Sequence, residues 1–221
     1  MPTLRFLAVD ACRARLPRPR SDVGKLAELI AVCEPDLVCV HGSPAGPRWR
    51  TVSGTLARQA GLVVVGGGRS AGGNLLLSNL AVDVVATREV SLDLAVRRRL
   101  DLHRSPGAAL AVLRRGRASR AFAVAAARLV ADPAAGAAQA AALERALTEL
   151  ATDDLPTVLS VTASSPGAHL SAAVADTLAQ SRTVLPGGVF VDDRIATETV
   201  QQLDVAPEAV AAVLAELTLP G

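Results

Sequence analysis

Tyrosine is missing from this 221-residue chain, and three phenylalanines and one tryptophan are its whole aromatic complement. Half of the residues are hydrophobic, so a large core is within reach, but it has to be packed from Ala, Val and Leu. Cysteine is equally scarce. Cys12, Cys33 and Cys39 are odd in number and show no C-x-x-C spacing, which argues against a disulfide framework or a zinc knuckle and predicts buried free thiols. No apolar run approaches the ~20 residues that span a bilayer; Leu62–Val65 and Ala121–Ala127 are typical. An excess of one charge is also lacking: the net charge is +2, so any nucleic-acid or anionic-membrane role needs a local patch. The start, Met1-Pro2-Thr3-Leu4-Arg5, does not lead a basic stretch into a long apolar one, so a cytoplasmic protein with no membrane contact is expected.

What is present reads as one α/β domain over residues 1–221. Leu4–Asp10 is strand-like, and after an arginine- and proline-rich stretch Ser21 or Asp22 opens a helix with Val23, Leu26, Leu29 and Ile30 at helical spacing. Pro35-Asp36 ends it, and Leu37–Val40 reads as a buried strand parallel to the first, because a helix separates them. Trp49–Gly61 predicts a second helix and Leu62–Val65 a strand, with the glycines of Gly66–Gly73 forming a turn. Asn74–Leu77 and Val82–Thr87 read as neighbouring strands joined at Asn79-Leu80, and Ala108–Arg114 with Arg120–Leu129 as a hairpin around Arg115-Gly116. A helix from Ala134 to Ala151, a strand over Pro156–Val161, a short helix over Ala168–Ala179 and strands at Gly188–Val191 and Thr197–Val205 follow. Ala209–Leu217 fits a strand or a helix equally well by periodicity.

These words, in this order, resemble the endonuclease/exonuclease/phosphatase family, also called DNase-I-like. Leu4–Asp10 stands where that family has a strand ending in T-W/Y-N, and Glu34-Pro35-Asp36-Leu37-Val38-Cys39-Val40 resembles its "PDVVCLQE" strand. Gly73-Asn74-Leu75-Leu76-Leu77-Ser78 resembles its "GNAILS" strand. Ala121–Leu129, Pro156–Ser164 and Val189-Phe190-Val191 resemble, with fewer identities, the strands carrying "THL", "GDFN" and "DYIFV". The resemblance implies a four-layer α/β/β/α sandwich of two mixed sheets. It also implies strand ends that converge on one Mg²⁺ ion and one phosphate, with carboxylates holding the metal and Asp, His and Asn positioning water and phosphoryl oxygens.

Residue by residue, that machinery is replaced. The first-strand Asn corresponds to Asp10, and the Gln-Glu pair to His41-Gly42, which removes the metal-binding carboxylate. Asn74 keeps its amide. The "THL" histidine corresponds to Arg128, the Asp and Asn of "GDFN" to Thr162 and Ser164, and the closing "SDH" falls near Glu208 with no Asp–His dyad. The reading is therefore a catalytically degenerate protein that binds or scaffolds a partner, a protein foremost, and uses no cofactor. Its main alternative is a metal-dependent phosphoesterase or nuclease rebuilt around Asp10, His41 and Asn74, with Asp10 and His41 as candidate ligands for Mg²⁺ or Mn²⁺. A third is weak nucleic-acid binding through Arg13, Arg15, Arg18 and Arg20 and through Arg97-Arg98-Arg99, Arg104, Arg114, Arg115, Arg117 and Arg120, all expected to rim the groove. Absent a paired carboxylate, His41 reads as a solvated loop residue and Asp10 as a loop cap. His103 and His169 lack zinc spacing, Asp192-Asp193 reads as water-facing, and Ser164-Ser165 has no triad partners at recognisable spacing.

Overall fold

The computed structural model describes residues 2–11, 21–43, 48–92, 106–116, 119–151, 154–164, 169–205 and 210–220. Strand β1 (Thr3–Asp10), helix α1 (Ser21–Cys33) and strand β2 (Leu37–His41) form the expected parallel β-α-β unit, with Asp10 opposite His41. Helix α2 (Trp49–Gln59) ends at Gly61, whose φ of 70° suits the left-handed turn that only glycine adopts without strain. Strands β3 (Val63–Gly68) and β4 (Asn74–Ser78) follow, then β5 (Asp83–Ser91), β6 (Gly107–Arg114) and β7 (Ala121–Leu129). Helix α3 (Pro133–Leu150) is N-capped by Asp132, whose carboxylate accepts from the Ala135 N–H at 2.8 Å. Strand β8 (Thr157–Ala163), helix α4 (Ala172–Leu178), β9 (Arg182–Leu185), a 3₁₀ turn at Pro186–Gly188, β10 (Val189–Asp192), β11 (Ala196–Val205) and β12 (Val210–Thr218) complete the chain.

The strands make two six-stranded sheets, in the orders β11-β12-β1-β2-β4-β3 and β5-β6-β7-β8-β10-β9. Each has one parallel pair at its centre, β1/β2 and β7/β8, with antiparallel neighbours outside. Alternation along the strands divides the apolar residues into three layers. Leu4, Phe6, Leu37, Leu76, Phe122, Val124, Val158 and Val213 meet between the sheets. Leu7, Val9, Val38 and Leu75 face α1 and α2, and Ala123, Ala125 and Leu159 face α3 and α4. The result is the four-layer α/β/β/α sandwich expected from the sequence.

Several expectations are corrected. Gly66–Gly68 belong to β3, paired with Leu76, Leu75 and Asn74, so the turn is confined to 69–73. Gly67 has to be glycine: its φ is 133°, and a Cβ would stand 2.3 Å from the Asn74 carbonyl oxygen. β4 and β5 are not paired neighbours; they lie in different sheets, and the turn at Asn79 carries the chain across. Asp192 is buried, because the Arg194 guanidinium holds both its oxygens at 2.7 and 2.8 Å, whereas Asp193 does face water. Burial alone would raise the Asp192 carboxyl pKa, but the hydrogen bonds and charge of Arg194 outweigh it and hold it low. The last segment is a strand, and β9 was not foreseen. Cys33 and Cys39 are buried free thiols, and burial pushes both upward; Cys12 lies outside the described residues. Among the described residues no helix is long and apolar enough to cross a membrane.

Candidate functional site

Period-two alternation carries past the apolar core to one end of the sandwich, and there the inward-facing positions turn polar. Leu4, Phe6 and Ala8 of β1 are followed by Asp10, Leu37 and Cys39 of β2 by His41, and Phe122, Val124 and Ala126 of β7 by Arg128. On β8, Val158 gives way to Ser160 and Thr162, and β4 opens with Asn74 before Leu76. Register aligns them: Asp10 beside His41, Arg128 beside both Gly107 and Thr162. Five positions read from the sequence therefore do gather at one end of the inter-sheet groove.

His41 crosses that groove. It is buried with 1% exposure, and its Nδ1 lies 2.8 Å from Asn74 Oδ1 while its Nε2 lies 2.7 Å from Ser160 Oγ on the other sheet. The proton positions follow from Asn74. Its amide nitrogen donates to the carbonyls of Ala71 and Gly107, at 2.6 and 2.9 Å, so its oxygen must face the ring. Nδ1 then carries the hydrogen and donates to Asn74, and Nε2 accepts from the Ser160 hydroxyl. Burial pushes the imidazole pKa down to about 4; the Asn74 bond and the Asp10 carboxylate oppose that shift and the Arg128 guanidinium adds to it. The ring is neutral at pH 7. This corrects the expectation of a solvated loop histidine: a loop position would be wet, but His41 is the last residue of a central strand and its side chain points between the sheets.

Ser160 was missed by sequence reasoning. A serine in the run Val158-Leu159-Ser160-Val161 has no spacing signal, and its partner lies 119 residues away. Serine, imidazole and amide are linked in the order of a nucleophile relay, yet Ser160 is fully buried, so the array works as a tether between sheets. The approach is made close by glycine: a Cβ on Gly107 would stand 2.6 Å from the Gly72 nitrogen.

Around the tether, Thr162 Oγ1 and Ser43 Oγ are buried hydroxyls without a hydrogen-bond partner among the described residues. Gly42 follows His41 with a φ of 83°. Ser164 is half-buried just past β8, its N–H donating to the Leu129 carbonyl at 2.7 Å. His169 is exposed. Glu208, His103, Ser165, Arg13, Arg15, Arg18, Arg20, Arg97, Arg98, Arg99, Arg104 and Arg117 lie outside the described residues. The expectation that Arg114, Arg115 and Arg120 rim the groove at this end is corrected: they stand at the opposite end of the β6–β7 hairpin from Arg128, since Arg114 pairs with Ala121 where Gly107 pairs with Arg128. Arg115 there binds the Asp36 carboxylate and the Thr3 carbonyl.

No protein-family model and no curated protein matches this chain by sequence. Solved structures do match in shape. An endonuclease/exonuclease/phosphatase from Bacteroides vulgatus superposes with a TM-score of 0.74 over 100% of both chains, at 13% identity. The fold is the endonuclease/exonuclease/phosphatase fold. The catalytic domain of human Nocturnin, with a bound sulfate anion, shares this fold at TM-score 0.69 and 11% identity, over 99% of this chain and 94% of that one. A mannosyl-6-phosphatase from Bacteroides thetaiotaomicron does so at 0.69 and 12%, over 98% of this chain and all of its own.

The metal ion associated with hydrolases of this fold does not fit the described residues. A hard divalent cation needs several oxygen ligands, carboxylates above all. Here both nitrogens of His41 and both amide hydrogens of Asn74 are consumed by internal hydrogen bonds, Gly42 offers no side chain, Thr162 is a neutral hydroxyl, and Asp10 brings one carboxylate where several are needed. No group of three or more His, Cys, Asp or Glu side chains comes together among the described residues.

Proposed function

We propose that this chain is a non-hydrolytic protein of the endonuclease/exonuclease/phosphatase fold, acting in the cytoplasm by binding a partner and using no cofactor. The observation that carries the reading is the closed end of the groove. Both ring nitrogens of His41, both amide hydrogens of Asn74 and the hydroxyl hydrogen of Ser160 are spent on one another and the backbone, so the imidazole has no lone pair left for a cation or a proton from water. Phosphoester hydrolysis needs the reverse: open ligands for a cation and a basic group free to take a proton from water. A neutral imidazole with a pKa near 4, buried and doubly bonded, is a poor base at pH 7.

The rebuilt metal site keeps one supporting observation, since Asp10 and His41 are adjacent by register and the carboxylate acts electrostatically on the ring. It would require His41 to abandon Ser160 or Asn74. Release of p-nitrophenol from its mono- and diester phosphates, with Mg²⁺ or Mn²⁺, separates the two readings. The proposal expects no release above that of Asp10→Ala; metal-dependent release lost in Asp10→Ala would select the rebuilt site.

A further inference from the structure

Several arginines of the described residues have no ion pair, Arg58, Arg120 and Arg145 among them. At the end of the sandwich away from the tether three are matched with carboxylates, Arg5 with Glu34 and Glu216, Arg114 with Asp83 and Arg115 with Asp36. At the tether end the exposed arginines Arg48, Arg50 and Arg69 have no ion pair among the described residues. They are brought together by the only tryptophan of the chain. Trp49 opens α2, with Arg48 and Arg50 on either side in sequence, and packs on Gly68, where an added Cβ would stand 2.8 Å from the indole carbons. Arg69 is the next residue after Gly68, and Gly68 pairs with Asn74, which places the cluster on the rim of the closed groove. The carboxylate nearby in the fold, Glu89 of β5, is engaged by the Gly67 N–H at 3.1 Å and by the Ser70 hydroxyl.

We propose that the rim formed by Arg48, Trp49, Arg50 and Arg69 is a docking surface for an acidic segment of a protein partner. The inference rests on the binding reading above and names the chemistry of the partner. Charge complementarity is the argument: three arginines with no ion pair among the described residues flank Trp49 and the Gly68 it packs on, in a protein whose net charge is only +2. Arg50 is also pre-ordered, since its guanidinium lies over the Trp49 ring at 5.4 Å from the centroid. A guanidinium held on an indole presents its planar fork to a carboxylate with less side-chain entropy to lose. Single-stranded nucleic acid is disfavoured, because its sequence-independent binders stack bases on aromatic faces and draw on a strong basic field. Here the one indole is already used twice, by Gly68 and by Arg50, and Tyr is absent.

The test is fluorescence anisotropy with labelled decaglutamate at low ionic strength, with Trp49 emission as a second signal and deca-thymidylate of similar charge as the competing probe. Decaglutamate should bind the wild-type protein, perturb Trp49 emission and dissociate as salt is raised. Three exposed ion pairs of roughly 0.5 kcal/mol each amount to about tenfold in affinity, so Arg48→Ala/Arg50→Ala/Arg69→Ala should weaken binding by about that factor. Arg58→Ala/Arg120→Ala/Arg145→Ala, equal in charge lost but placed elsewhere, should leave binding unchanged. No binding by the wild type, equal loss in both triple variants, or tighter binding of thymidylate through the same three arginines would each overturn the proposal, the last in favour of nucleic acid. Phosphoester turnover would instead remove the non-hydrolytic reading and leave this surface standing, because none of the three arginines is one of the groove-facing strand-end residues.

Discussion

At the scale of single residues, folding moves His41 out of the range in which an imidazole ordinarily titrates. An unfolded imidazole titrates near its ordinary 6.5, and the folded one near 4, so between those values the unfolded chain binds the proton and the native chain does not. Stability is therefore expected to be full above pH 6.5 and to fall as pH drops toward 4, by on the order of 3 kcal/mol. The charged groups bearing on His41 are Asp10 from β1 and Arg128 from β7, and its bonded neighbours are Asn74 from β4 and Ser160 from β8. Urea unfolding at pH 7 and pH 4.5 measures the slope, and His41→Gln should flatten it; an unchanged slope in that variant would assign the pH dependence to other groups. Ser160→Ala leaves Nε2 buried without a donor and should cost about 1–3 kcal/mol, read as a lower urea midpoint. Gly42 adds a backbone test. At a φ of 83°, alanine is strained by roughly 1–2 kcal/mol, and glutamate, which restores the carboxylate that the family resemblance calls for, carries the same strain with a charge added. Both variants should melt below the wild type, Gly42→Glu the lower; a Gly42→Glu protein as stable as the wild type would mean that the replaced carboxylate was no burden to this fold.

Elements were legible where one physical signal dominated. Short, nearly continuous apolar runs bounded by Gly, Pro or Asp marked β1, β2, β4 and β8, and the turn at Arg115-Gly116 made strands of the alanine-rich β6 and β7, whose composition alone favours a helix. The failures have causes as specific. Gly66–Gly68 look like a turn because glycine is the commonest turn residue, yet here Gly67 lets β3 approach β4, and Gly68 lets it approach Trp49, at distances a Cβ would block. The β4–β5 connection looks like a hairpin because nothing in a short polar turn says which sheet the next strand joins. β9 is four residues long and half exposed, with little apolar signal to read. Gly67→Ala tests the close approach: a residue held in a region of backbone space reserved for glycine costs about 1–3 kcal/mol, and the clash with the Asn74 carbonyl would also move the amide that orients His41. Loss of the steep pH dependence together with stability, in a denaturation series, would show the strand and the tether to be one unit; loss of stability alone would separate them.

For the molecule as a whole, the sandwich and the end at which its polar residues gather could be read from the order of motifs, because strand ends are fixed once the strands are. What those residues do there could not. His41 shows this most directly, since the sequence places it beside Asp10 as a candidate ligand, while the fold spends one of its nitrogens on Asn74 of the neighbouring strand and the other, across the sheet interface, on a serine no motif marks. Pairing between residues on different sheets, far apart in the chain, leaves no local spacing to detect. The account's central claim is that this closure has replaced metal chemistry, and calorimetric titration with Mn²⁺ and Mg²⁺, run beside Asp10→Ala, tests it most directly. The account predicts no heat of binding beyond that of the Asp10→Ala protein; saturable binding in the wild type that vanishes in Asp10→Ala would contradict it.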